Sequence, residues 1–386
     1  MTTRELARPP RLPAVLLRGA LGSVSKRGPH DEAHLPAERL VLPAAGVDPA
    51  RLRAYARVCG FPDPASDPAD GAAPLPAGYP HVLGFPLAMR LLAARDFPFP
   101  LLGLVHTGVE LTQHRPLHVR DRPELTVYAE GLAAHRRGSR FDVVTEARLD
   151  GRLVWHSRST YLCRHRRTDG TDGAAGTEAR HPERDGPVER PRPGERAQLG
   201  EPSGPLPARA EWRLPSALGR RYAAASGDRN PIHLHPLTAK PFGFPRHIAH
   251  GMWTFARCLA QAQAENAAEA GTGDGRGAEP LTAYAEFKAP VPLPCTVTYG
   301  SARPDRGSGT DGAGPDADPE AKAEPDPDQT AGEVPCATRL FELRSGGAGA
   351  EADAGEGGTA GQLHLTGAVS SGLPSSGSPD PTSRSS

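Results

Sequence analysis

The stretch from Tyr222 to Gly251 constrains this chain more than any other. It reads Tyr-Ala-Ala-Ala-Ser-Gly-Asp-Arg-Asn-Pro-Ile-His, and closes on Ile-Ala-His-Gly. Tyr222 to Ala225 suits one or two helical turns. Ser226-Gly227-Asp228 breaks them, because glycine accepts backbone angles that other residues resist. Asn230 precedes Pro231 and is biased towards an extended conformation. Asp228 and His233 are therefore expected on a tight, non-helical loop that aims both side chains into one space, with the Asn230 amide placed to orient either. A carboxylate and an imidazole so held are the usual parts for moving protons near neutral pH. Residues of this kind are also ordinary turn formers.

The end of the stretch supplies a second need. Met252 to Ala260 reads as an apolar helix, and Gly251 stands at its start. Free N–H groups and the helix dipole favour negative charge there, so a developing oxyanion has a place to be held.

The same residues resemble the signature of the MaoC-like (R)-specific enoyl-CoA hydratases and dehydratases: Tyr-x-x-x-Ser-Gly-Asp-x-Asn-Pro-Ile-His, then Gly-Phe, then Ile-x-His-Gly. The resemblance implies an α+β chain built on the hot-dog fold, an antiparallel sheet wrapped around a long helix. It implies Asp228 and His233 as the catalytic pair and Gly251 as the glycine whose N–H receives the thioester oxygen. Asn230 and Ser226 are counted with Gly251 as candidate oxyanion or substrate-binding residues, although no Gly-x-Ser-x-Gly elbow surrounds Ser226 and its hydroxyl is expected to cap or bond locally. The implied substrate is an acyl thioester of coenzyme A or an acyl carrier, with no redox cofactor and no metal. His235 departs from the pattern, since many members carry Asp there.

An echo of the stretch occurs earlier. Tyr55-Ala-Arg-Val-Cys-Gly60-Phe61-Pro62 lines Gly60 up with Gly227. Phe61 then occupies the place of Asp228, and Ser66 that of His233. Gly78 to Pro86 precedes an apolar segment, Leu87 to Ala94, much as Phe244 to Gly251 precedes Met252. The chain is thus expected to be two tandem hot-dog domains forming an internal pseudo-dimer, the first copy without its dyad.

Strand patterns flank both helices. Leu40–Leu42, Leu101–Val105, His106–Gln113, Leu125–Leu132, Arg140–Leu149 and Arg152–Cys163 belong to the first copy. Glu211–Leu214, Leu281–Lys288, Cys295–Ala302, Pro335–Arg344 and Gln362–Val369 belong to the second. Their period-two alternation implies sheets with one buried face. The expected division is a flexible arm (1–38), a degenerate domain (39–165), a disordered linker (166–208), a catalytic domain (209–370) with a disordered insertion (303–334), and a disordered tail (371–386).

Composition supports the unstructured tracts. Only 37% of residues are hydrophobic, beside 44 Gly and 43 Pro, too little apolar matter to pack the whole length. The 45 basic and 45 acidic residues cancel, which gives no electrostatic case for a nucleic-acid partner. Five scattered cysteines with no CxxC pair suggest reduced thiols in a cytoplasmic protein. Leu12 to Leu21 is apolar but interrupted by Pro13 and Arg18, and is read as neither a signal peptide nor a membrane segment. His114 and His118 are read as surface or hairpin residues. Arg246 and Lys288 are read as solvated charges within possible reach of a coenzyme A phosphate. The leading expectation is reversible hydration of a trans-2-enoyl thioester. A hot-dog thioesterase and a non-catalytic acyl-thioester-binding subunit are the alternatives, and a homodimer of pseudo-dimers is left open.

Overall fold

The computed structural model describes residues 2–26, 33–63, 73–165, 204–271, 280–304, 337–346 and 361–371. Most of the expected linker, insertion and tail lies outside these residues, as do Ser66 and Cys336.

The two helices that precede the loops of each half are set by their ends. Asp48 caps α2 (Pro49–Cys59) by accepting from the N–H groups of Ala50 and Arg51, and Pro49 opens it without wasting a donor. Gly60 ends it at φ +79°, in the left-handed region. The equivalent helix of the second half, α4 (Leu218–Ser226), ends the same way on Gly227 at φ +85°. Gly60 and Gly227 thus end corresponding helices, as the echo anticipates.

Eleven strands form one sheet among the described residues. The first half supplies β2 (Glu38–Leu42), β3 (Leu104–Gln113), β4 (Glu124–His135), β5 (Gly138–Leu149) and β6 (Arg152–Arg164). The second supplies β7 (Ala208–Leu214), β8 (Leu281–Phe287), β9 (Cys295–Ala302), β10 (Ala337–Ser345) and β11 (Gln362–Ser371). Beyond the edge strand β1 (Thr2–Glu5), the order is β2-β4-β5-β6-β3, then β8-β11-β10-β9-β7. The second run repeats the first in reverse, so the halves are related by a pseudo-twofold. They join through the antiparallel pair β3–β8, from Gly108↔Glu286 to Gln113↔Leu281. Each half curls round one buried helix, α3 (Tyr79–Leu92) and α6 (Gly251–Glu269). The fold is α+β: two tandem hot-dog domains forming a pseudo-dimer.

Helices also tie the halves together. α2 packs on α4, with the Tyr55 and Tyr222 rings 6.2 Å apart. The Trp253 indole N–H donates to the Val58 carbonyl (2.8 Å), one of the last carbonyls of α2, which lack partners inside their own helix.

Three expectations need correction. The N-terminal arm is ordered over 2–26: β1 pairs in parallel with β2, and α1 (Leu12–Ser25) packs on α3. Pro13 falls in its first turn, where no donor is lost. The segments Leu101–Val105 and His106–Gln113 are not two strands; β3 runs from Leu104 with a bulge between His106 and Gly108. Finally, α3 begins at Tyr79 rather than Leu87 and carries Pro86 inside it. Gly84 lies within this helix because a Cβ there would stand 2.6 Å from the Thr145 methyl group.

Moving the helix start moves the alignment of the halves. The isolated bridge Ile248↔Pro292 matches Pro74↔His118, and the bond from Ala249 N–H to Val291 O matches that from Leu75 N–H to Leu117 O. Ala77 therefore stands where Gly251 does. Its carbonyl accepts from the fully buried Trp155 indole (2.8 Å). Phe61, at the position of Asp228, stacks on Tyr55 at 6.1 Å. Aromatic side chains thus pack where the first half would have carried a site.

Candidate active site

The site is built on the loop that leaves α4. The Ser226 hydroxyl donates to the Tyr222 carbonyl (2.9 Å) and accepts from the Asp228 N–H (3.1 Å), so it folds the turn and has little left for a ligand. The Asn230 main-chain N–H donates to Asp228 Oδ1 (3.1 Å). Its side-chain oxygen accepts from Ile232 N–H (3.4 Å) and caps the short turn Pro231–His233. Asn230 therefore reaches the carboxylate through its backbone, not through its amide.

His233 is buried, and its Nδ1 lies 2.9 Å from the Ile248 carbonyl. A carbonyl only accepts, so Nδ1 carries the proton and Nε2 presents a lone pair. His250 donates from Nε2 to the Asp228 main-chain carbonyl (3.0 Å) and stacks on the His233 ring at 3.8 Å. It clamps the loop from both sides. One side-chain atom each of Asp228, His233 and His250 lies within 4.8 Å of the others. Asp228 keeps 27% of its side-chain surface open, so the cluster faces outward through its carboxylate.

That spacing alone would admit a metal ion, but the donors do not suit one. The two imidazoles lie at 27° to each other, and each commits one nitrogen to a main-chain carbonyl. Imidazole lone pairs lie in the ring plane. Near-parallel rings point them side by side instead of converging on one ion at about 2 Å.

Electrostatics separate the groups. Burial holds the Asp228 carboxyl above its usual value, against the pull of His233 and of the Asn230 N–H. Burial pushes His233 down to about 3, with His250 acting in the same sense and Asp228 opposing. Burial likewise lowers His250 to about 3. At neutral pH both imidazoles are uncharged, and the carboxylate is a stronger base than a solvated one.

These histidines make the fold acid-sensitive. His81 and His156 are lowered to about 4 and His106 to about 3, in each case mainly by burial. Unfolded, each would titrate near 6.5. Their contribution is intact above about pH 6.5 and is lost as pH falls towards the folded values, at about 1.4 kcal/mol per pH unit for each proton taken up on unfolding. The raised Asp228 carboxyl opposes this trend. Thermal melts are expected to show Tm falling steadily below pH 6.5, whereas a flat profile down to pH 4.5 would contradict these burials.

Gly251 is the first residue of α6, where the N–H has no intrahelical acceptor. A Cβ there would meet the Phe287 ring at 3.3 Å. The missing Cβ lets the Phe287 ring pack against this helix start, next to His250 of the His233–His250 stack.

The chain matches the MaoC like domain over residues 200–306, which takes in the whole loop and the start of α6. It is 35% identical over 292 residues to 3-hydroxyacyl-thioester dehydratase X of Mycobacterium tuberculosis, spanning 76% of this chain and 89% of that protein. This chain belongs to the MaoC-like family. The crystal structure of HtdX from M. tuberculosis superposes with a TM-score of 0.55 at 29% identity, over 86% of this chain and 98% of that one. A MaoC-like dehydratase from Phytophthora capsici shares the fold at 17% identity, with a TM-score of 0.59 over 89% and 98% of the two chains.

Against this MaoC-like frame, the structure brings Asp228 and His233 together and sets Gly251 beside them. Sequence reasoning gave no role to His250, although it lies inside the Ile-x-His-Gly signature. It also missed Gly219, which sits in α4 directly against the His233 backbone. His235 accepts from the Leu237 N–H (3.2 Å) and caps the turn α5 (Pro236–Ala239). His114 packs on His156 at 5.6 Å, and His118 pairs with Asp121 at 3.6 Å. Lys288 pairs with Glu286, and Arg246 donates to the Pro294 carbonyl (3.2 Å). No helix among the described residues is long and apolar enough to cross a membrane.

Proposed function

We propose that this chain catalyses reversible hydration of trans-2-enoyl thioesters to (R)-3-hydroxyacyl thioesters. The observation that carries the proposal is the clustering of the raised Asp228 carboxylate with His233, whose Nε2 presents a lone pair, next to His250; Gly251 follows His250 in the chain and opens the helix with its N–H. The name of the M. tuberculosis relative, a 3-hydroxyacyl-thioester dehydratase, supports the same chemistry.

The thioester carbonyl makes C3 of the enoyl group electrophilic. Water attacks there, and its proton passes to the Asp228–His233 pair. Charge moves through C2 onto the thioester oxygen, where the Gly251 N–H holds it. The pair then delivers a proton to C2, so the elements of water are added and nothing is oxidised or reduced. Asp228 and His233 act on one water as a coupled unit. In the reverse direction the C3–O bond breaks and the departing oxygen takes a proton from the pair. The chemistry uses no redox cofactor. The acyl group arrives on coenzyme A or on an acyl carrier.

Incubation with a trans-2-enoyl-CoA tests the reading. Loss of the enoyl absorbance without release of free coenzyme A is expected. Release of free coenzyme A would identify a thioesterase instead. No change in either, with the protein folded and the thioester bound, would identify a binding subunit.

A further inference from the structure

The half without a dyad faces the site across the β3–β8 seam. Tyr161 lies on the inner face of β6, opposite His106 on β3 and Phe141 on β5. Its ring stacks on His106 at 4.7 Å and 14°, and on Phe141 at 5.8 Å and 18°. His106 meets Phe287 at 5.0 Å. Phe287 in turn borders Gly251, with its ring 3.3 Å from where a Cβ on that glycine would stand. A continuous path of contacts therefore leads from the phenol to the oxyanion corner.

We infer that the Tyr161 hydroxyl is a third hydrogen-bonding group of the active site, donating to the oxygen on C3 of the bound substrate. The inference rests on the hydratase reading above.

Three observations support it besides the path. Burial raises the Tyr161 pKa, and the Asp228 charge raises it further, so the phenol lies within electrostatic range of the carboxylate that handles the C3 oxygen. It remains protonated at working pH and is available as a donor. Second, no hydrogen bond of the hydroxyl occurs among the described residues, whereas the Tyr128 hydroxyl of the same half is bonded to Glu146 at 3.0 Å. Tyr161 is only partly buried, so its hydroxyl is accessible to a substrate oxygen that could accept from it. Third, the two ring stacks fix the phenol before substrate arrives, which a donor to a transition-state oxygen requires. Tyr161 transfers no proton in this scheme. It steadies the C3 oxygen while the dyad removes or returns the proton, as the C3–O bond forms or breaks. The first copy, having lost its own chemistry, would then still furnish one group to its partner's.

The test is Tyr161→Phe in the full chain, assayed on a trans-2-enoyl-CoA beside wild type and Asp228→Asn. A hydrogen bond to an oxygen that develops charge predicts a kcat lower by about tenfold to a hundredfold. Little change is expected in KM, in Tm or in the position of the acid limb of the pH–rate profile. Wild-type kcat in Tyr161→Phe, with Asp228→Asn inactive, would overturn this inference alone. So would a raised KM at unchanged kcat, which would make the residue a wall of the acyl site. A wild type that hydrates nothing would overturn both readings.

Discussion

Asp228→Asn is expected to be folded, more heat-stable than wild type at neutral pH, and nearly inactive. The two effects have one origin. Burial raises the carboxyl's pKa, so the ionised form is disfavoured in the folded state relative to the unfolded one. Above the unfolded carboxylate's value that charge costs stability, and an uncharged amide removes the cost. The same desolvation makes the carboxylate a competent base. Its loss removes general acid–base help worth roughly 10²–10⁴-fold. Parallel thermal melts and kcat measurements check both at once. A variant that is both less stable and partly active would contradict the assignment.

Gly219→Ala is the second large effect, and its sign is unusual. Gly219 lies inside α4, where alanine ordinarily stabilises a helix by roughly 0.5–1 kcal/mol. Here the added Cβ would overlap the His233 carbonyl oxygen and stand 3.0 Å from its carbon. Both atoms are backbone, so no side-chain rotation relieves the clash. Either α4 or the Pro231–His233 turn must move. Overpacking of this kind costs about 1–3 kcal/mol. A displacement of the imidazole on the order of 1 Å is enough for a loss of roughly 10²-fold in rate. A drop in kcat together with a lower Tm is expected. An unchanged kcat would show that the dyad does not depend on this contact.

The parts of the molecule that were legible in sequence are those fixed by local chemistry. The Gly60 and Gly227 caps, the alternating strands and the Asp228–His233 loop follow from backbone preferences and short spacing. α3 was not legible, because Gly84 and Pro86 read as breakers. Packing against Thr145 selects the glycine, and burial of almost the whole helix carries the proline. α1 was hidden by its prolines and arginines, and β1 by its brevity and exposure. At the site, the motif yielded the dyad and Gly251. The contributions of Gly219, His250 and Tyr161 depend on distant backbone or ring contacts that no spacing encodes. The Ser226 hydroxyl bonds locally, as the lack of a nucleophile elbow around it suggests, and the Asn230 side chain also builds the loop.

The central claim is that one dyad, in the second half, hydrates enoyl thioesters with fixed stereochemistry. The most direct measurement is the configuration of the 3-hydroxyacyl-CoA that the wild type forms from a trans-2-enoyl-CoA. Formation of the (R) product alone is predicted. An (S) or racemic product, or no hydrated product from a folded chain, would contradict it.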